Sequence, residues 1–333
     1  MDTTRRKTHA AAISVISNAG LVLGKIVIGL VTGSVSVISE AIHSGIDLVA
    51  ATIALFAVKT AGKPADKDHP YGHGKIENLS GMIEAILIFL AAGWIIYEAV
   101  RKLITSAPIK MPGIGIAVMA VSALANYFVS RMLFRVGRET DSMALQADAW
   151  HLRTDVWTSA GVMVGLAAIL LSRWLFPALS VGWIDPMAAI SVAGLIIKTA
   201  WDLTRQSMRD VMDTCLPEEE QRWIGDLLGS VSGVHGFHAL RTRKAGSQRF
   251  VDLSLLVDRS LSVEVSHRLA HEISDSIEKR FENASVTIHV EPCDGRCSPG
   301  CEAGQLHPTL KYRGCPQLGV GENLPGRRGI SRT

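Results

Sequence analysis

His151-Leu152-Arg153-Thr154-Asp155 sits inside the mostly apolar run 144–171, and His43-Ser44-Gly45-Ile46-Asp47 sits inside a second such run, 35–58. A bilayer core takes roughly 20 apolar residues as helix, so each run reads as a transmembrane span. At i, i+4 spacing the His and the Asp of each stretch share one helix face about one turn apart. Ionisable groups within a span are costly, and four of them at matched spacing on two helices point to a shared site. Two imidazoles and two carboxylates suit tetrahedral Zn²⁺, and Co²⁺ also fits. The competing reading, polar groups satisfying one another between helices, leaves the matched spacing to chance.

Outward from these two stretches, the runs 10–31, 78–100, 112–134 and 184–203 complete a set of six spans. Small residues recur within them, as where membrane helices pack closely. The opening MDTTRRK resembles the charged start of a signal peptide, but the apolar stretch after it is long and ends in no small-residue cleavage site. It reads as a first transmembrane helix. Over all 333 residues the mean hydropathy is +0.25 with only 20% charged residues. That excludes disorder, collagen-like repeats and a small disulfide scaffold. Net charge is +3, too small and scattered for nucleic-acid binding.

Charge orients the spans. Arg5, Arg6, Lys7, then Lys59, Lys63, Lys67, Lys75, then Arg131, Arg135, Arg138, and finally Arg205 and Arg209 fall on one side. Arg101, Lys102, Lys110 and Arg173 fall on the other. By the positive-inside rule both termini are cytoplasmic.

After Pro217 the pattern changes. Pro217-Glu218-Glu219-Glu220 suits a helix N-terminus. Strands are expected at 237–244 and 248–258 around Ala245-Gly246, a helix at 262–280 and a strand at 285–291. Val251, Leu253, Leu255 and Val257 make one face of the second strand, opposite Asp252 and Ser254. Val286, Ile288 and Val290 face inward on the last strand, which leaves His289 and Glu291 together on its polar face. The expected organisation is a six-helix membrane α-helical domain over 1–207, then a small cytoplasmic α+β domain over 208–292. A Gly-, Pro- and Cys-containing tail, 293–333, is expected to be disordered unless it binds metal. Its Cys293, Cys297, Cys301 and Cys315, with His307 nearby, do not follow a standard zinc-finger spacing, and a cytoplasmic setting keeps them reduced.

Further polar residues are candidates. Asp148 lies three residues before His151 and is placed to line an approach to the site. Glu40, Glu84, Asn18 and Asn126 lie within spans without an assigned role, and Lys25 is expected to snorkel toward an interface. The connection Asp66-Lys67-Asp68-His69-Pro70-Tyr71-Gly72-His73-Gly74-Lys75 carries acids and histidines beside flexible glycines. It is either a shallow metal site or a solvated polar loop. In the soluble domain His267 and His271 are i, i+4, His238 lies on the first strand, and Asp252 projects from the second. The pattern resembles small metallochaperone-like domains only at the level of fold analogy.

Taken together, these motifs resemble the cation diffusion facilitator family. Gly33-Ser34-Val35-Ser36, the run Asp68 to Lys75, and Gly236-Phe237-His238-Ala239-Leu240-Arg241-Thr242-Arg243 all look like that family's, and the likeness spans about 8–292. The resemblance implies a homodimer in a lipid bilayer that exports divalent metal from the cytoplasm in exchange for H⁺. It implies transport ligands His43, Asp47, His151 and Asp155, and a loop site of Asp66, His69 and His73. It further implies cytoplasmic-domain ligands His238, His267, His289 and Glu291, and a Lys75–Asp213 salt bridge between the third and sixth helices. Members with a binuclear cytoplasmic site place a histidine where this chain has Ser254. Asp252 is the candidate substitute.

Zn²⁺ is the expected substrate, because imidazole suits Zn²⁺ and Co²⁺ while carboxylates alone suit harder ions. Fe²⁺, Co²⁺, Cd²⁺ and Mn²⁺ remain alternatives. No G-x-x-x-x-G-K-[ST] run is present, so a proton gradient rather than a nucleotide is the expected driving force. A bacterial inner membrane is the expected location. Three rivals stay open: an intramembrane zinc hydrolase, which lacks a His-Glu-x-x-His run; a passive metal channel with a sensor domain; and a metal-sensing platform whose cysteine tail recruits a partner.

Overall fold

A computed structural model describes residues 3–32, 35–105, 113–175 and 184–293, with the side chains of 35–40, 43 and 162–175 among those outside the description. The expected tail, from 294 onward, lies outside the described residues. The chain divides into two compact units.

The first unit spans Met1–Thr214 and takes in Ala245–Gln248. It holds six helices: α1 (Thr3–Thr32), α2 (Val35–Ala61), α3 (Lys75–Thr105), α4 (Gly113–Glu139), α5 (Met143–Leu175) and α6 (Ile184–Val211). At 1.5 Å per residue each is long enough to cross a hydrocarbon core. Among the described residues four also pass on hydropathy: Thr3–Val31, Ser44–Ala61, Lys75–Arg101 and Ala117–Glu139. Large apolar side chains on these helices face outward; Leu30, Leu90 and Trp94 are examples. Lipid, not water, is the medium that suits such a surface. The interior is built of small residues, with Ala50, Ala54, Ala85, Ala144 and Ala147 fully buried. Gly81 shows why: a Cβ there would stand 2.8 Å from the Ser207 hydroxyl, so α3 meets α6 almost backbone to backbone. α1 pairs with α2, α3 with α6 and α4 with α5, while α5 also touches α2, α3 and α6. That central place is what lets α5 present polar groups to an interior site.

At one end of this unit the helices are tied by polar contacts, those around Glu77 buried. Lys7 Nζ donates to Glu77 Oε1 at 2.9 Å, and the Ser142 hydroxyl donates to Glu77 Oε2. Lys75 pairs with Asp213 at 2.9 Å and Asn78 donates to Asp210 at 2.9 Å, joining α3 to the end of α6. The helix continues through Val211, and the compact unit closes at Thr214, seven residues past the expected boundary at 207.

The second unit holds α7 (Glu218–Ser230), β1 (Val234–Ala245) as far as Lys244, β2 (Gln248–Val257) from Arg249 on, α8 (Val263–Arg280) and β3 (Ala284–Pro292). Pro217 is the N-cap of α7, immediately before three glutamates that favour the helix N-terminus. Ser262 caps α8 by accepting from the Val265 N–H, and Lys279 and Arg280 close its last turn. The sheet order is β1-β2-β3, with β2 and β3 parallel across the α8 crossover. Val251, Leu253, Leu255 and Val257 meet Ile224, Leu228, Ile273 and Ile277 in the core, with Val286, Ile288 and Val290 packed against it. The alternation expected for both strands therefore holds, and the opposite face of the sheet is left for polar side chains.

Candidate metal-binding sites

The α2–α5 contact brings Asp47, His151 and Asp155 together, with one ligand atom of each within 4.8 Å of the others. His151 Nε2 lies 3.2 Å from Asp47 Oδ1, and both side chains are about 5% exposed. Nδ1 of His151 is buried without a hydrogen-bond partner. An imidazole held beside two carboxylates is a donor set that suits cation coordination. His43 falls one turn before Asp47 on α2, and its side chain lies outside the described residues.

Two carboxylates without an assigned place in the ligand set border this group. Glu84 of α3 and Asp148 of α5 are both fully buried, and each is a charge neighbour of the other and of His151. Ser80 donates to Glu84 Oε1 at 3.3 Å, while Oε2 has no partner. The spacing of Asp148 from His151 signalled its place; nothing in the sequence near Glu84 did, because its neighbours come from another helix. Lys25 departs from expectation. It is 5% exposed and donates to Ser44 at 2.7 Å, so it turns into the bundle instead of snorkelling outward.

The loop candidates also converge. Asp66, His69 and His73 offer ligand atoms within 4.8 Å of one another. Asp66 accepts the backbone N–H groups of Asp68 and His69 at 3.0 and 2.7 Å, and His73 Nε2 lies 3.3 Å from its second oxygen. The His69 N–H is foremost in holding the Asp66 carboxyl below the usual carboxylate range. His73 is 8% exposed with Nδ1 unpartnered, whereas Asp66 and His69 are open to solvent. Lys75 Nζ lies 2.9 Å from Asp213 Oδ1.

On the polar face of the second unit, Glu291 sits between two histidines. His238 Nε2 is 3.2 Å from its Oε2, and His289 Nε2 is 3.6 Å from its Oε1. Ser254 pairs in register with His289 and hydrogen-bonds Glu291. That hydroxyl, ahead of His238, holds the Glu291 carboxyl below its ordinary range. Ala239 follows His238 at φ +52, so the strand alternation breaks there and both residues face solvent. His267 packs instead against His271 on α8, with ring centroids 4.6 Å apart, and Asp252 is exposed two residues before Ser254. Among the described residues no group of three close ligand atoms includes His238, His289, Glu291, His267 or Asp252.

Long apolar helices around a buried acid–imidazole cluster, joined to a small α/β domain, define a membrane protein built to handle cations. Residues 11–212 match the cation efflux transmembrane domain, and residues 216–293 match the cytoplasmic domain of cation efflux proteins. An uncharacterised transporter of Synechocystis sp. is 37% identical over 281 residues, covering 84% of this chain and 87% of its own. The cation-efflux pump FieF of Serratia proteamaculans is 32% identical over 289 residues, covering 86% and 94%. A solved structure of CzrB is 35% identical over 23% of this chain and 98% of its own, with a TM-score of 0.23. The chain belongs to the cation efflux family, the cation diffusion facilitators, and is a membrane transporter of divalent metal.

Proposed function

We propose that this protein exports Zn²⁺ from the cytoplasm in exchange for protons, through a transport site of His43, Asp47, His151 and Asp155. The observation that carries the reading is the convergence of Asp47, His151 and Asp155 from two packed helices into one ligand-sized group. A mixed imidazole and carboxylate set favours Zn²⁺ over Mn²⁺ or Mg²⁺. Protons and Zn²⁺ compete for the same lone pairs, so loading at neutral pH and release into acidic surroundings follow from one equilibrium. Rocking of helices against one another would alternate access, as in other secondary transporters. Both termini are assigned to the cytoplasm, in a bacterial inner membrane, on the charge asymmetry of the loops.

Asp66, His69 and His73 serve in this reading as a loop metal site. His238, His289 and Glu291 serve as the nucleus of a regulatory site in a homodimer, with His267 and Asp252 as further ligands when metal draws them in. Such a site shifts the transport equilibrium only by its differential affinity for two arrangements. His289→Ala should therefore alter the zinc dependence of transport and not its maximal rate; an unchanged dependence refutes the regulatory role.

The decisive experiment is Zn²⁺ flux into proteoliposomes under an imposed pH gradient, with Asp155→Ala alongside. Gradient-driven flux lost in the variant supports the antiporter and its site. Flux that only runs down the zinc gradient favours a channel, and flux of Fe²⁺ or Mn²⁺ without Zn²⁺ overturns the metal.

A further inference from the structure

α4 carries Arg131, Phe134, Arg135 and Arg138 at i, i+3, i+4 and i+7, a single stripe over its last two turns. α5 carries Trp150, Arg153 and Trp157 at i, i+3 and i+7, a second stripe. The two helices pack together, and these seven residues line one open cavity of about 440 Å³. Its wall is aromatic: Trp150 lies edge-on to Phe134 at 5.0 Å and to Trp157 at 6.0 Å. The guanidiniums lean on that wall, Arg138 over Phe134 at 5.4 Å and Arg153 between Tyr127 at 5.0 Å and Phe134 at 5.7 Å.

Among the described residues no carboxylate lines the cavity. None of the four arginines forms an ion pair among the described residues, and Nε of Arg153 is buried without a hydrogen-bond partner. Four like charges converging on helices of a lipid-embedded bundle repel one another and are costly there without an anion. Their fixed forks match phosphate oxygens two at a time, and tryptophans are at home at the headgroup level. The stripe ends at Arg138, one residue before the end of α4, so the cavity opens toward the α4–α5 connection. At 100° per residue, 150, 153 and 157 lie on the side of α5 roughly opposite to His151 and Asp155.

We propose that this cavity binds the phosphodiester headgroup of an anionic phospholipid and so braces α4 against α5, the helix that carries His151 and Asp155. The proposal rests on the orientation given above, which puts the cavity in the cytoplasmic leaflet, where basic pockets between helices meet anionic lipid. Positive charge on inner loops is general, but orientation alone does not require arginines to share one aromatic-walled cavity.

The test uses the full chain in nanodiscs of phosphatidylcholine with graded phosphatidylglycerol. Lipid retained through detergent exchange is read by native mass spectrometry, with Arg135→Gln/Arg138→Gln/Arg153→Gln alongside. The wild type should retain phosphatidylglycerol in preference to phosphatidylcholine, and the variant should lose about a hundredfold of that preference, near a factor of five per arginine. Phosphatidylglycerol should raise the melting temperature of the wild type and not of the variant, which reports on a variant that folds less well. Arg153→Lys, which keeps the charge and loses the fork, should fall between them. Equal retention of the two lipids by the wild type, or equal preference in wild type and variant, overturns the proposal. Full displacement by millimolar inorganic phosphate also overturns it, since the site then serves a free anion. Zinc flux measured on the same preparations separates the readings: flux without lipid preference removes only the headgroup site, and lipid preference without flux removes only the transport reading.

Discussion

Nε2 of His151 stands 3.2 Å from Oδ1 of Asp47, across the contact between α5 and α2, with both side chains almost wholly buried. Two helices far apart in sequence thus hold an imidazole and a carboxylate at hydrogen-bond distance. The arrangement lowers the cost of ordering ligands when a cation enters. It also makes the site sensitive to charge as well as to shape.

Asp47→Asn tests that sensitivity, since it keeps the shape and removes the charge. Zinc affinity of the purified transporter, measured by calorimetry, should fall by at least the tenfold to hundredfold typical of losing even a supporting group at a metal site, roughly. Retained affinity would mean that Asp47 only orients His151. Thermal melting should change little, because the amide still meets the ring.

Glu291 offers a pH test with a defined sign. Its carboxyl is held below the ordinary range, first by the Ser254 hydroxyl and then by His238. A folded-state value below the unfolded one adds stability that is present above the unfolded value and is lost as pH falls through the folded one. Amide exchange of 284–292 in the full chain should therefore stay slow until the acid side of the normal carboxylate range. In Ser254→Ala the loss should begin at higher pH. Identical profiles would show that the hydroxyl does not matter to Glu291.

Ala239 holds φ +52, a region that costs an L-residue about 1–2 kcal/mol and glycine little. Ala239→Gly should stabilise the second unit by about 1 kcal/mol, less the added freedom of the unfolded chain. Slower amide exchange in β1 is the readout; faster exchange would show that the chain relieves this strain elsewhere.

How much of this was legible in advance depended on distance along the chain. The i, i+4 pairs at 43/47 and 151/155 needed only helix geometry, and the faces of β2 and β3 needed only a period of two. Loop ligands eight residues apart or fewer, Asp66 to His73, were equally visible. What escaped reading depends on partners brought by tertiary packing. Lys25 looked like an interfacial lysine because Ser44, its acceptor, lies on another helix. The neighbours of Glu84 are Asp148 and His151, which α5 brings to it from far along the chain. Arg205 and Arg209 look like exit charges and suggest a boundary at 207, yet α6 runs on to Val211, where Asn78 and Lys75 of α3 hold its last stretch.

Lys7 and Glu77 carry the last prediction. Their salt bridge spans 2.9 Å with side-chain exposures of 6% and 2%, and Ser142 and Ser247 complete it. A buried pair adds little net stability against a well-packed apolar pair, but breaking it strands a charge. Glu77→Gln should therefore destabilise the membrane unit by about 3–5 kcal/mol, because the Lys7 ammonium keeps its burial and loses its counter-charge. Lys7→Met alone strands Glu77 in the same way. Lys7→Met with Glu77→Gln removes both charges, and its melting temperature should return most of the way to the wild type. Additive losses in the double variant would instead mean that the two residues act through separate partners, Ser247 for one and Ser142 for the other. Zinc flux of the double variant then reports on function apart from stability: a folded protein with normal flux marks the pair as architecture, whereas a folded protein with impaired flux marks it as part of the machinery that moves α1 against α3.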